Sequence, residues 1–394
     1  MSLYAWQEKA LTQPNDRAIW CAECGTGKTH AAKLWLQQGN RSKNAVVICP
    51  KQIRADWKKD CPGVTVLSFE DFKKFGGPKD PTAIIVDEAD AMASPLFVAS
   101  LRSQRTELFY RYTQVNKSTP ILLCTATPVR SSPWNIHTLL VLAHLVEPDS
   151  WKRYRDAYFE LTYKPFLPRP AWFPKKNWRK EMQKLINKYT HVALMQDLVD
   201  VLPPETYEVI KLKEPKYEEN EEWEPMAQFV GDHRMEQLSK VAEIEKISKG
   251  YRKVVVVAHY TEQIDALQQS LSKSRQTFVL DGRTKHPERV IADTEADGEC
   301  FFIIQASVGA GFELHSFSVM IFASMGYSVR NEVQMRARIR RVSSLKPVIY
   351  YYLLGGRCDK AIYDNVKAGK EFIPAEYLKT CTSYQRNTNA PKQK

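Results

Sequence analysis

Two short stretches carry residue types whose spacing could do chemistry: Ala22-Glu23-Cys24-Gly25-Thr26-Gly27-Lys28-Thr29 and, about sixty residues on, Asp87-Glu88-Ala89-Asp90. Glycines ahead of a Lys-Thr pair let backbone N–H groups converge on a phosphate chain, with Lys28 reaching the β and γ phosphates and the Thr29 hydroxyl meeting Mg²⁺. Ala22 stands where such loops usually have their first glycine. The acidic tetrad is the complement. Asp87 would hold Mg²⁺ through water, and Glu88 would orient and deprotonate an attacking water, since phosphoryl transfer is mostly positioning and charge stabilisation. Each stretch alone has a plain alternative, a glycine turn or an acidic turn after a strand. Together they predict a site for ATP and Mg²⁺.

Those residues need elements to hold them. The apolar run 18–22 reads as a buried strand and 29–36 as a helix, so the glycines fall between the two. The run 83–86 reads as a strand buried on both faces, delivering Asp87 and Glu88 to the edge where parallel sheets hold ligands. Further strands are predicted at 45–49, 64–68 and 121–124, and a second series at 253–259, 277–280, 300–304, 319–322 and 347–352. This rhythm predicts an α/β fold with parallel sheets. Thr261 is placed to cap a helix whose Ile264, Leu267 and Leu271 share one face. The pattern breaks between about 150 and 205, where 163–180 is proline-punctuated, aromatic and basic. There Trp172, Phe173 and Trp178, among Lys175, Lys176, Arg179 and Lys180, fit either a wedge that stacks on bases or a brace that packs on the first domain. Leu202-Pro203-Pro204 reads as a connector, 213–224 as a charged segment and 382–394 as a basic, disordered tail.

Composition narrows the class. A chain of 394 residues can bury more than one core, and a formal net charge of +12 favours a polyanionic partner. Eight cysteines are scattered; Cys21 and Cys24 have metal-ligand spacing but no second pair close by, so they read as small apolar residues in a reduced, cytoplasmic protein. No signal-peptide pattern or membrane-length apolar run is present in the sequence.

Beyond these, an ordered set of motifs resembles the superfamily 2 helicases, and most closely a minimal Snf2-like DNA translocase near the annealing-helicase branch. Tyr4-Ala5-Trp6-Gln7 matches an aromatic-plus-glutamine motif, Cys49-Pro50-Lys51 with Trp57 a proline-lysine block, 66–69 the next strand motif, and Thr125-Ala126-Thr127-Pro128 the coupling motif. In the second half, Leu280-Asp281-Gly282 with Arg289, the glycine motif at 306–314, and Gln334 followed by Arg338 and Arg341 complete the order.

The resemblance implies two tandem RecA-like lobes, residues 1–196 and 197–381, with ATP in the cleft between them and a helical, aromatic-rich segment joining them. Gln7 would read adenine, Gly311 would approach the nucleotide, and Gln334, Arg338 and Arg341 would supply the finger motif. Arg338 and Arg341, three apart, are expected on one helical face. Lys51, Trp57, Ser68, Thr125, Thr127, Arg130, Arg283 and Ser307, with Trp172 and Trp178, are the candidate nucleic-acid contacts. Any hydroxyl or cation among them has the alternative of capping a loop. The implied protein is a monomeric DNA-dependent ATPase on duplex or branched DNA, of phage or bacterial type and acting in the (host) cytoplasm. Strand separation on DNA or RNA, and an ATP-gated adaptor, are the competing readings. Three positions depart from the family: Asp90 for a histidine, Met195-Gln196 for paired arginines, and Tyr327 for a tryptophan.

Overall fold

Runs of β-branched and aliphatic residues become strands throughout the chain, and nearly all of them pair in parallel. The structure is a computed structural model that describes residues 3–12, 16–129, 132–163, 170–194, 198, 202–217, 225–238, 240–308, 312–340, 346–370 and 372–380. Arg130, Met195, Gln196, Gly309, Gly311, Arg341 and the tail 382–394 lie outside the described residues. Two units are distinguished, Met1–Asp200 and Val201–Lys394.

The first unit contains β1 (Arg17–Ala22), β2 (Val46–Cys49), β3 (Thr65–Ser68), β4 (Ile84–Asp87), β5 (Ile121–Thr125), β6 (Phe159–Thr162), β7 (Ala171–Pro174) and β8 (His191–Ala193). Six form one parallel sheet in the order β3-β2-β4-β5-β1-β8. Alternate residues serve opposite faces: Val46, Ile48, Ile84, Val86 and Leu123 enter one core, while Val47, Cys49, Ile85, Leu122 and Cys124 enter the other. Burying each such aliphatic chain stabilises the unit by about 1.5–3 kcal/mol, and doing so on both faces forces helices onto both. Pairing of Cys21 with Thr125, Asp87 with Cys124, and Cys49 with Ser68 brings the C-terminal strand ends to one edge. The remaining strands, β6 and β7, form an antiparallel hairpin that the sequence reading did not resolve.

The second unit adds β9 (Glu205–Lys211), β10 (Lys253–Ala258), β11 (Gln276–Leu280), β12 (Cys300–Gln305), β13 (Val319–Phe322) and β14 (Val348–Leu354), all parallel in the order β11-β12-β10-β13-β14-β9. Val255, Val257, Phe302 and Ile304 face one core and Val254, Val256, Phe301 and Ile303 the other. Each unit is thus a three-layer α/β sandwich of the RecA-like kind. Ile264, Leu267 and Leu271 are buried as expected, but Tyr260 takes the N-cap position and Thr261 is the first helical residue. Among the described residues, no helix is long and apolar enough to cross a membrane.

Candidate active site

The phosphate loop runs from the end of β1 into the helix Lys28–Gln37. Gly25 (φ 90°) and Gly27 (φ 81°) hold left-handed backbone that a side chain would strain. A Cβ on Gly27 would also fall 2.5 Å from Nε2 of Gln7. Ala22 ends an extended strand and is fully buried, which is why alanine is accepted where a glycine is usual. The helix Ala5–Thr12 closes over this loop: Trp6 Nε1 donates to the Thr26 carbonyl at 3.1 Å and Gln7 Nε2 to the Gly27 carbonyl at 3.1 Å. Gln7 also accepts from Tyr4 N at 2.9 Å, so the residue expected at adenine is bound to the phosphate loop itself. Thr26 is buried, its hydroxyl on the Glu23 carbonyl at 2.8 Å. Lys28 reaches that same carbonyl at 3.3 Å. Burial works against its ammonium, but Cys24, Glu88 and Asp87 outweigh it and raise the pKa.

The acidic tetrad meets this loop at the sheet edge. Thr29 Oγ1 donates to Asp87 Oδ2 at 2.9 Å, which places the hydroxyl and carboxylate expected around Mg²⁺ in contact across 58 residues of sequence. The same oxygen accepts from Trp57 Nε1 at 3.2 Å. Burial, reinforced by Glu88, raises the Asp87 pKa. Such a carboxylate gains most from a nearby cation, and a hydroxyl beside a carboxylate suits the oxygen preference of Mg²⁺, which normally keeps waters and phosphate oxygens in its remaining positions. Glu88 adopts φ 60° and ψ 52°, a left-handed conformation that costs a non-glycine residue on the order of 1–3 kcal/mol and is concentrated at functional sites. Asp90 is buried and accepts from Thr125 Oγ1 at 3.3 Å, while Thr125 Oγ1 accepts from Thr127 N at 3.0 Å. Aspartate in the histidine position therefore still touches the Thr125-Ala126-Thr127 turn. The Cys21 thiol is buried and pushed up to about 12, an apolar filler rather than a ready metal ligand.

In the second unit, Gln334 is buried on the helix Val329–Arg336. That helix stops two residues short of Arg338, so Arg338 is not part of it, and Arg341 lies outside the described residues. Arg338 sits in the following turn, 5% exposed, with Nη1 on the Phe312 carbonyl at 2.9 Å and its own carbonyl accepting from Leu314 N at 2.9 Å. Arg338 thus ties the glycine-motif segment to the finger segment. Arg336 and Arg340 are engaged with Glu332 and Glu205 respectively.

A match to the helicase conserved C-terminal domain covers residues 235–343. Over 79% of its length the chain is 23% identical to mouse (Mus musculus) chromodomain-helicase-DNA-binding protein 1-like, and over 84% it is 22% identical to the zebrafish (Danio rerio) protein of the same name. The chain spans about two fifths of the length of these relatives, 41% and 39%. The fold is similar to that of S. cerevisiae Dbp5 bound to RNA and ADP BeF3, with a TM-score of 0.53 at 12% identity, covering 93% of this chain and 88% of that one. These comparisons together support a superfamily 2 helicase.

The candidate nucleic-acid contacts separate by burial. Trp57 is wholly buried, and its indole supports Asp87; it offers no surface to DNA, because the apolar packing that fixes the N–H encloses the ring. Ser68 is a helix N-cap in a capping box with Asp71, and Thr125 is fully buried on Asp90. In the described conformation both side chains are engaged within the first unit. Thr127 is half-buried, and its Oγ1 has no hydrogen-bond partner among the described residues. Lys51 and Ser307 are exposed. Arg283 is exposed but paired with Asp265 and Asp281, both at 2.6 Å. Trp178 packs on the first unit's core, whereas Trp172 is 40% exposed.

Sequence reading missed the Trp57–Asp87 bond, whose only signal was a tryptophan following the proline-lysine block. It also missed a buried polar network in the second unit. There His233, Glu236 and Asp359 bring donor atoms within 4.8 Å of one another, and Lys240 Nζ, 2.5 Å from Asp359 Oδ2, already supplies a cation to one of the carboxylates.

Proposed function

We propose that this superfamily 2 chain is a Snf2-like translocase that hydrolyses ATP to move on duplex or branched DNA. The observation that carries the nucleotide half of this reading is the 2.9 Å contact between Thr29 and Asp87, with Lys28 and Glu88 beside it. Thr29 and Asp87 would hold Mg²⁺, which would supply positive charge against the negative charge that develops as the γ-phosphoryl group departs. The chain's own residues do the rest. Gly25 to Thr29 present backbone N–H groups to the phosphates, Lys28 adds a fixed cation, and Glu88 takes the proton of the attacking water. Arg338 is committed to the Phe312 carbonyl, so the arginine-finger role in this proposal falls to Arg341.

The DNA half is supported by the Trp57 block, the glycine motif and the names of the two chromodomain-helicase-DNA-binding relatives. Its backbone contacts are proposed at Lys51, Thr127, Arg130 and Ser307, residues suited to phosphate and carrying no base code. The Asp87-Glu88-Ala89-Asp90 tetrad and the RNA-bound neighbour favour one alternative, a strand-separating RNA helicase. ATP turnover measured with duplex DNA, single-stranded DNA and RNA, alongside strand displacement, separates the two. Stimulation by duplex DNA without displacement is the expected result; stimulation by RNA alone would replace this reading with the alternative.

A further inference from the structure

Residues 151–189 carry eleven Lys or Arg against three Asp or Glu, so a tenth of the chain holds +8 of its formal +12. This stretch contains the β6–β7 hairpin, flanked by the helices Trp151–Tyr158 and Trp178–Tyr189. In the hairpin Phe159 pairs with Pro174 and Leu161 with Trp172, and directly paired residues share a face. At its root that face is core: Phe159 is 3% exposed and stacks on Trp134 at 4.7 Å. Two residues along the strand it has left the core, with Leu161 at 56% and Trp172 at 40% exposure, and Tyr163 just beyond β6 at 64%. A cation lies against the aromatics, because the Arg155 guanidinium is 4.2 Å from the Trp172 ring centroid and 5.5 Å from that of Trp151.

Three chemistries are therefore combined on one small element. An exposed indole offers a stacking face, adjacent aliphatic and phenolic groups widen it, and exposed Lys176 in the following turn, with Arg179 and Lys180 at the start of the next helix, supplies positive charge without carboxylates of matching number. A protein partner with a simple apolar face would not call for that charge. A duplex presents its phosphates outward and hides its base faces, so it could use the cations but not the indole. Unpaired bases on a nucleic-acid strand use both. We propose that the face shared by Leu161 and Trp172 is a base-stacking platform for unpaired nucleotides at a fork or branch, with the neighbouring cations holding the strand's phosphates. This rests on the reading that the chain binds nucleic acid, and it names the part of a branched substrate that the hairpin recognises. Of the two sequence-level alternatives, Trp178 is the brace and Trp172 the stacking residue.

The test measures binding of the full chain without nucleotide, by fluorescence anisotropy, to a blunt duplex and to the same duplex carrying an unpaired arm with 2-aminopurine in it. Trp172→Ala should weaken binding of the armed DNA roughly 5- to 150-fold, the range for loss of one base–aromatic stack, while blunt-duplex binding stays unchanged. Trp172→Phe should retain most of the affinity and the 2-aminopurine quenching that Trp172→Ala abolishes. Equal loss on both DNAs, or no change on either, overturns the platform. If wild-type chain binds no nucleic acid and its turnover responds to none, the translocase reading falls as well. A duplex-stimulated enzyme indifferent to Trp172→Ala loses only the platform and leaves the exposed face to a protein partner.

Discussion

Asp87 concentrates the chemistry of the first unit, because one carboxylate oxygen accepts from both Thr29 and Trp57 while burial holds its pKa above the usual carboxylate value. A raised folded-state pKa means that the folded protein binds this proton more tightly than the unfolded chain. Stability contributed by the site is then lost as pH rises from the unfolded value, about 4, through the raised one. Asp87→Asn keeps an acceptor for both donors and removes the charge. Without nucleotide and Mg²⁺ its thermal midpoint should therefore exceed the wild-type value, by a margin that widens over that pH window and then levels off. Adding Mg²⁺ and a non-hydrolysable ATP analogue should reverse the order, since only the wild type gains binding free energy there. A margin that is flat with pH would show that Asp87 ionises without penalty. At Glu88 the expectation is kinetic: Glu88→Gln should preserve ATP affinity and lower turnover on the order of 10²- to 10⁴-fold, the usual weight of a general base. Unchanged turnover, followed by phosphate release, would remove Glu88 from that role.

At the scale of elements, the helix Pro225–Leu238 shows how a polar network replaces an apolar seam. Its buried side chains include Asp232, His233, Glu236 and Gln237 beside Phe229, and they meet Asp359 and Lys240 in the interior. Burial opposes ionisation of Asp359, but the Lys240 ammonium outweighs it and holds the carboxyl well below its usual range. Lys240 also donates to the Gln237 side chain at 2.9 Å and to the Ala323 carbonyl, so it fastens the start of the next helix to the end of β13. Lys240→Met should cost about 3–5 kcal/mol by stranding a buried carboxylate, and Lys240→Met with Asp359→Asn should recover part of it in denaturant unfolding. Additive losses would mean that the two charges do not depend on one another. This helix was not legible in the sequence, because its inward positions are polar and leave no apolar period to read. The strands β2, β4, β10 and β12 were legible for the opposite reason, since double-sided burial leaves uninterrupted Val, Ile and Phe. The site followed suit. Lys28, Thr29 and Asp87 were readable from strand-end motifs, whereas Trp57's bond to Asp87 depends on how a helix packs, which spacing does not encode.

For the whole molecule the deciding property is where the charge sits. Outside residues 151–189 the chain is close to balanced, with 57 Lys or Arg and 45 Asp or Glu in total and eleven against three of them inside that stretch. Several cations elsewhere are already matched, as Arg54 is by Asp71 at 2.7 Å and Arg283 by Asp265 and Asp281. An unmatched cation that meets a phosphate releases condensed counterions, and log K then falls with log salt by about 0.9 per contact on B-form DNA and about 0.7 on a single strand. Lys176, Arg179 and Lys180 are exposed, while Lys175 donates to the carbonyls of Asp156 at 2.9 Å and Ala157 at 2.8 Å. Replacing the first three by glutamine should therefore make the salt slope for branched DNA shallower by about 2–3 units, with little effect on unfolding because none of the three is core. Anisotropy titrations across a salt series check this directly. A slope that does not change would move the phosphate track away from the hairpin and toward Lys51 and the C-terminal strand ends. Bases would then have no charged approach to Trp172.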